Sequence, residues 1–190
     1  MDVTLEIKEI INKANMRLGE AMLKVAMDTI GNIKNRIVYS GVDADGNKYA
    51  PYSTKPMYAS CKNMTKKDCV KIVGSKQKRR ELEWVTLKRG DKNIRLFILP
   101  EGYKQYREIT NHQTNFVDFA FSGDMWKNIQ VASNEADHRN GIAMITATDD
   151  AQYKKLEGNT KRKGDILAMN EDEINHAVEV LEEILFKDWE

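Results

Sequence analysis

Residues 3 to 38 most constrain what this chain can become. Ile7, Ile10, Ile11, Ala14, Leu18, Ala21, Met22, Val25, Thr29, Ile33 and Ile37 recur every three or four positions, the spacing of one apolar helical face. No proline interrupts them, since the first is Pro51, and Gly19 and Gly31 are the only weak points. The pattern predicts one helix from about Val3 to Val38, on the order of 50 Å at 1.5 Å per residue. That exceeds the width of one small core. Either part of the stripe meets another subunit, or a kink at a glycine folds the helix back on its own domain. The methionines suit core filling better than a cofactor site.

Downstream the period changes. In "ELEWVTLKRGDKNIRLFILPEGY", Leu82, Trp84, Val85 and Leu87 precede Ile94, Leu96, Phe97 and Ile98 across a turn containing Arg89, Gly90 and Asp91, which reads as a β-hairpin. Those three residues also spell an integrin-binding tripeptide, but a glycine at a hairpin tip suffices to explain them. "TNFVDFAFSG" alternates as a strand, and "VASNEADHRNGIAMITAT" as two strands around a polar turn at 134–141. A short helix is expected over Ala151 to Glu157, begun by Asp149 or Asp150 and stopped by Gly158. Asn170 and Glu173 form an Asn-x-x-Glu capping box for a last amphipathic helix marked by Ile174, Ala177, Val178, Leu181, Ile184 and Leu185. The expected fold is α+β, with a long N-terminal helix, a central antiparallel sheet carrying a hairpin insertion, and a C-terminal amphipathic helix.

With 190 residues, 41% hydrophobic, the chain is expected to form one soluble domain over 1–190. Its segments are a helix at 1–38, a turn and loop at 39–60, a basic segment and hairpin at 61–110, antiparallel strands at 111–150 and closing helices at 151–190. No apolar run approaches the roughly 20 residues of a membrane-spanning helix, and "MDVTLEIKEI" lacks the pattern of a signal peptide, so an intracellular setting without membrane contact is expected. Cys61 and Cys69 are then expected to be reduced thiols, although their spacing also permits a bridge or half of a metal site.

The net charge of +1 conceals two opposed segments. Residues 62–80 hold eight cations, Lys62, Lys66, Lys67, Lys71, Lys76, Lys78, Arg79 and Arg80, against Asp68, a net of +7. Residues 170–190 hold eight acids, among them Glu179, Glu182 and Glu183, against Lys187, a net of −7 with His176 neutral. Such runs are ordinarily solvated surfaces. They also make Lys71, Lys76, Lys78, Arg79 and Arg80 candidates for contact with a subunit or DNA, and Glu179, Glu182 and Glu183 candidates for a complementary acidic face.

Signatures of common catalysis are missing: no G-x-S-x-G, H-E-x-x-H or G-x-G-x-x-G occurs, and His112, His138 and His176 lie in three distant regions. A tertiary site would have to unite one of them with Asp118, Asp124 or a cysteine. No catalytic, metal or cofactor-binding residue is assigned, and no enzyme is expected. "GVDADGNKYAPYS", residues 41–53, half-matches two ligand loops. Gly41 and Gly46 have a phosphate loop's spacing, but the lysine is one place late and Asp43 and Asp45 would repel phosphate. Asp43, Asp45 and Asn47 open like a calcium loop, but Lys48 stands where the turning glycine belongs and Thr54 where a bidentate Glu is needed. A plain turn at Asp45-Gly46 is favoured.

Read with its neighbours, that loop resembles the bacteriophage tail-completion, or virion morphogenesis, family. There a long helix leads to a Gly-x-Asp-x-Asp-Gly turn, an aromatic residue and a proline, here Gly41, Asp43, Asp45, Gly46, Tyr49 and Pro51. "FAFSGDMWKNIQV" is similar to the family's strand and short helix, through Ser122, Gly123, Met125 and Ile129. Tyr153, Gly158, Lys161, Arg162, Ile166, Leu167, Asn170 and Ile174 resemble its closing pattern, and residues 62–110 look like an insertion. The resemblance implies a non-enzymatic structural protein of the virion neck or tail, assembled in the host cytoplasm. It further implies a homo-oligomeric ring in contact with portal, adaptor or tail proteins, with transient contact to DNA in its channel. The alternative is a nucleic-acid-binding module that uses 62–80 for charge and Trp84, Tyr103 and Tyr106 for stacking.

Overall fold

The protein, seen in a computed structural model, is described over residues 3–76, 80, 82–90, 92–120, 123–136 and 140–186. It is an α+β chain with a long first helix, antiparallel strands and a C-terminal helix. The chain gathers into two compact units, one made of residues 1–49 with 118–190, the other of 50–117.

In the first unit, α1 spans Val3–Asn35 and widens into a π turn over Arg36–Ser40. Gly41 ends it, its N–H donating to the Ile37 carbonyl at 2.9 Å. Among the described side chains of the expected face, Ala21, Thr29, Ile33 and Ile37 are buried, as is Ala26 beside it, whereas Met16 and Met27 lie off the stripe and are exposed. α1 packs against β4 (Ile129–Ala136), β5 (Gly141–Ala147) and α6 (Glu171–Phe186). At the start of β5 the backbone approaches α1 so closely that a Cβ on Gly141 would strike the Leu18 and Met22 side chains. β4 and β5 form a two-stranded antiparallel sheet with a bulge between Val131 and Ser133, as their alternation predicts. Before β4 comes the short helix α4, Asp124–Asn128.

Two expectations fail in this unit. The "TNFVDFAFSG" segment is not a strand in its described part. Asp118 Oδ1 accepts from the Ala120 N–H at 2.9 Å, and Phe119 is left-handed at φ 50°, which breaks extended geometry. Phe121 and Ser122 lie outside the described residues. The helix begun at Asp149, α5, also runs through Gly158 to Lys163. Asp149 caps it by accepting from the Gln152 N–H at 3.0 Å. A mid-helix glycine costs only about 1 kcal/mol, and Glu157 with Lys161 pairs across it at 2.6 Å. The stop falls instead at Gly164, whose φ of 88° a side chain would strain.

The second unit has a three-stranded antiparallel sheet in the order β1 (Met57–Ala59), β3 (Lys92–Leu99), β2 (Trp84–Arg89). The predicted hairpin pairs Trp84 with Phe97 through Arg89 with Lys92, and Gly90 takes φ 60° at its tip. Asp91 lies outside the described residues. Three elements escaped the sequence reading: β1, helix α2 (Lys66–Val73) and helix α3 (Gly102–Ile109). Phe97 and Leu99 are fully buried, with Ala59, Ile72, Val73, Tyr106 and Val117 completing the core. Arg107 is buried too, its Nε donating to the Gln113 carbonyl at 2.9 Å and its guanidinium lying 4.4 Å from the centre of the Tyr52 ring.

The cysteines are not free thiols. A tight turn at Cys61–Asn63 and α2, capped by Thr65, bring Cys61 and Cys69 to a Cα separation of 5.1 Å, and they are disulfide-bonded. Closing so short a loop stabilises by about 2.5 kcal/mol through the unfolded chain. The Cys61→Ser/Cys69→Ser double variant is therefore expected to lose that much from the 50–117 unit in denaturant titration. Alkylation without reductant, read by mass, is expected to label neither cysteine of the parent protein.

Candidate functional site

The best-built polar feature of the first unit is centred on Arg36, in the π turn that ends α1. Its Nε donates to Glu173 Oε1 at 2.8 Å and its Nη2 to Glu173 Oε2 at 3.3 Å. Nη1 donates to the Val42 carbonyl at 3.0 Å and Nη2 also to the Ala168 carbonyl at 2.7 Å. One guanidinium thereby ties α1, the 41–49 loop and the entry to α6 together. Glu173 also keeps the capping role the sequence predicts. Its Oε2 accepts from the Asn170 N–H at 2.9 Å, and its own N–H donates to Asn170 Oδ1 at 2.8 Å. The partnership with Arg36 was not legible, because 137 positions separate the two residues and no local rule links them.

The 41–49 loop is the plain turn predicted. Asp43 Oδ1 accepts from the N–H groups of Asp45 and Asn47 at 3.0 and 2.8 Å, so that oxygen is spent on the backbone. Gly46 takes φ 80°, and Val42 bridges to Lys48. Tyr49 is buried against Phe119 edge to face, ring centres 4.9 Å apart. Its hydroxyl has no hydrogen-bond partner.

Burial is the main cause that raises the Tyr49 pKa above 10.0, with Arg36 pulling the other way and Asp43 adding to the rise. The folded chain thus holds this proton to higher pH than the unfolded chain. The resulting stability is full below 10.0 and is lost as pH climbs past that value. Tyr49→Phe is expected to flatten the alkaline loss in urea titrations and not to lower stability at neutral pH, since it removes an unsatisfied buried oxygen.

Beside Arg36 lies an open polar cleft of about 410 Å³, lined by Asn32, Asn35, Ser40, Asn170, Asp172 and His176 among others. His176 Nε2 is 2.6 Å from Asp28 Oδ2, linking α6 to α1. In the second unit, His112 Nδ1 lies 2.9 Å from Thr110 Oγ1. His138 is outside the described residues. Among the described residues no group of three or more His, Cys, Asp or Glu is placed to hold a metal ion. No described helix is long and apolar enough to cross a membrane.

The charged candidates divide. Lys62, Lys66, Lys67, Lys76 and Arg80 are exposed. Lys71 is half-buried, with Nζ donating to the Thr110 carbonyl at 2.6 Å, so it serves the fold of its own unit. Lys78 and Arg79 lie outside the described residues. Asp68, the single acid of this stretch, is buried and accepts from Thr65 Oγ1 at 2.8 Å, which leaves the surface more uniformly basic than the sequence count. Glu179, Glu182 and Glu183 are all exposed on α6. The aromatic candidates are engaged inside the second unit. Trp84 packs edge to face on Phe97 under the Arg95 guanidinium, while Tyr103 contacts Tyr52 and Tyr106. Tyr106 is itself buried.

Comparison with models of protein families, with curated proteins and with solved structures gave no match.

Proposed function

We propose that this chain is a structural protein of a tailed-phage virion that completes the tail or joins head to tail. It acts as a ring of identical subunits in contact with portal, adaptor or tail proteins. One observation carries the reading. The motif residues of the three separated segments that resemble the virion morphogenesis family fall, Pro51 excepted, within the unit of 1–49 and 118–190, while 50–117, which takes in the last four residues of the first segment, forms a unit of its own. Arg36 joins the first of these segments to the last, and Asn159 Nδ2 reaches Met125 Sδ at 3.6 Å between the middle and the last. Segments far apart in sequence that share one piece of architecture are what an inherited pattern with an inserted unit would leave.

The test is the state of association. Light scattering after size exclusion, over a range of concentration and salt, is expected to give a homo-oligomer, and negative-stain images closed rings. A monomer at every concentration and salt would overturn the proposal. Contact with DNA in the channel would use the exposed lysines on backbone phosphates, because Trp84, Tyr103 and Tyr106 are committed to packing. Binding that is sequence-independent and falls steeply with salt is the expected form of that contact.

A further inference from the structure

We infer that the outer face of α6 seats helix α2 of a second copy of this chain, a contact that rests on the assembly reading above. The apolar face of α6 is continuous but covered unevenly, and one margin of it is open. Glu173 turns inward to Arg36 beside half-buried Ala177, Val180 and Ile184, whereas Ile174 and Val178, one turn apart, are each 48% exposed. Exposed carboxylates of Glu171 and Glu182 border that margin at helical spacing, and those of Asp172, Glu179 and Glu183 continue further round the helix. α2 carries the counterpart. Val70 is 64% exposed, with Lys66 and Lys67 a turn before it, Lys62 in the preceding turn, and Lys76 and Arg80 beyond. Its one acid is withdrawn into the core.

Each face thus has an apolar centre and charges of one sign, opposite on the two. An apolar centre with a polar rim is the usual anatomy of an interface. Faces of a single sign also reject their own kind, so α2 against α2 and α6 against α6 are both disfavoured. The permitted contact joins two different patches of identical chains and, when it is not reciprocated about a two-fold axis, propagates head to tail and closes as a ring where the rotation allows.

Charge exchange tests the contact. In sedimentation velocity, E179K/E182K/E183K alone and K62E/K66E/K67E alone are each expected to associate roughly tenfold or more weakly than the parent chain. All six positions are exposed, and circular dichroism checks that both variants fold. Mixed in equal amounts, they are expected to recover association, alternating one to one, and one chain bearing all six changes to recover it alone. Parent-like association of both variants would overturn this contact while leaving the ring standing. Loss of association only in K62E/K66E/K67E, with retardation of duplex DNA by the parent chain, would assign the basic face to DNA instead. A parent chain that stays monomeric throughout would remove the assembly reading itself.

Discussion

Arg36→Ala is expected to lower the unfolding free energy of the 1–49 and 118–190 unit by about 3–5 kcal/mol, the usual cost of removing one partner from a buried ion pair. The side chains of Arg36 and Glu173 are only 9% and 7% exposed, so water can do little to replace the lost partner. The carbonyls of Val42 and Ala168 lose their donor as well. Denaturant titration followed by far-ultraviolet circular dichroism measures the effect, since α1 and α6 belong to this unit. Arg36→Met/Glu173→Met is expected to cost clearly less than the sum of the single changes, because no buried charge remains. It should not return to the parent value, since two carbonyls and the Asn170 N–H still lack their partners. A loss under 1 kcal/mol for Arg36→Ala would mean that the junction does not hold the unit together.

Phe97→Ala is expected to cost about 3–5 kcal/mol in the other unit. Phe97 is fully buried in the central strand β3, between Ala59 of β1 and Trp84 of β2, and meets the Trp84 ring edge to face at 5.5 Å. Removing its ring empties the middle of the only three-stranded sheet among the described residues. Hydrogen exchange read by mass spectrometry separates the units. Protection should fall over 57–109, while the amides of α1 and α6 exchange as before. Equal loss in both units would show that the chain unfolds as one body.

Legibility in the sequence followed the range of the interaction. The first helix was readable because about nine turns repeat one face without a proline, and the last because Asn170 and Glu173 sit three positions apart. Both hairpins announced themselves by alternation around a polar tip. Failures among the elements came where one local signal met another. Phe116 to Phe121 alternates like a strand, but the Asp118 side chain captures a neighbouring N–H, and the Trp126 indole donates to the Asp118 carbonyl at 3.2 Å. Gly158 looked like a stop, but Gly164, whose φ of 88° a side chain would strain, takes that role. The charge runs were visible, yet their sorting was not. Nothing in the order of residues says that Asp68 turns inward, that Lys71 caps a distant carbonyl, or that Glu173 leaves the acidic face for Arg36.

The edge-to-face pair of Tyr49 and Phe119 has a topological meaning as well. These residues flank the span 50–117 on either side, and their rings touch at 4.9 Å. Within the first unit, the residues on either side of this span therefore lie side by side. Chain ends that lie side by side are the usual geometry at which one compact unit carries another as an insertion.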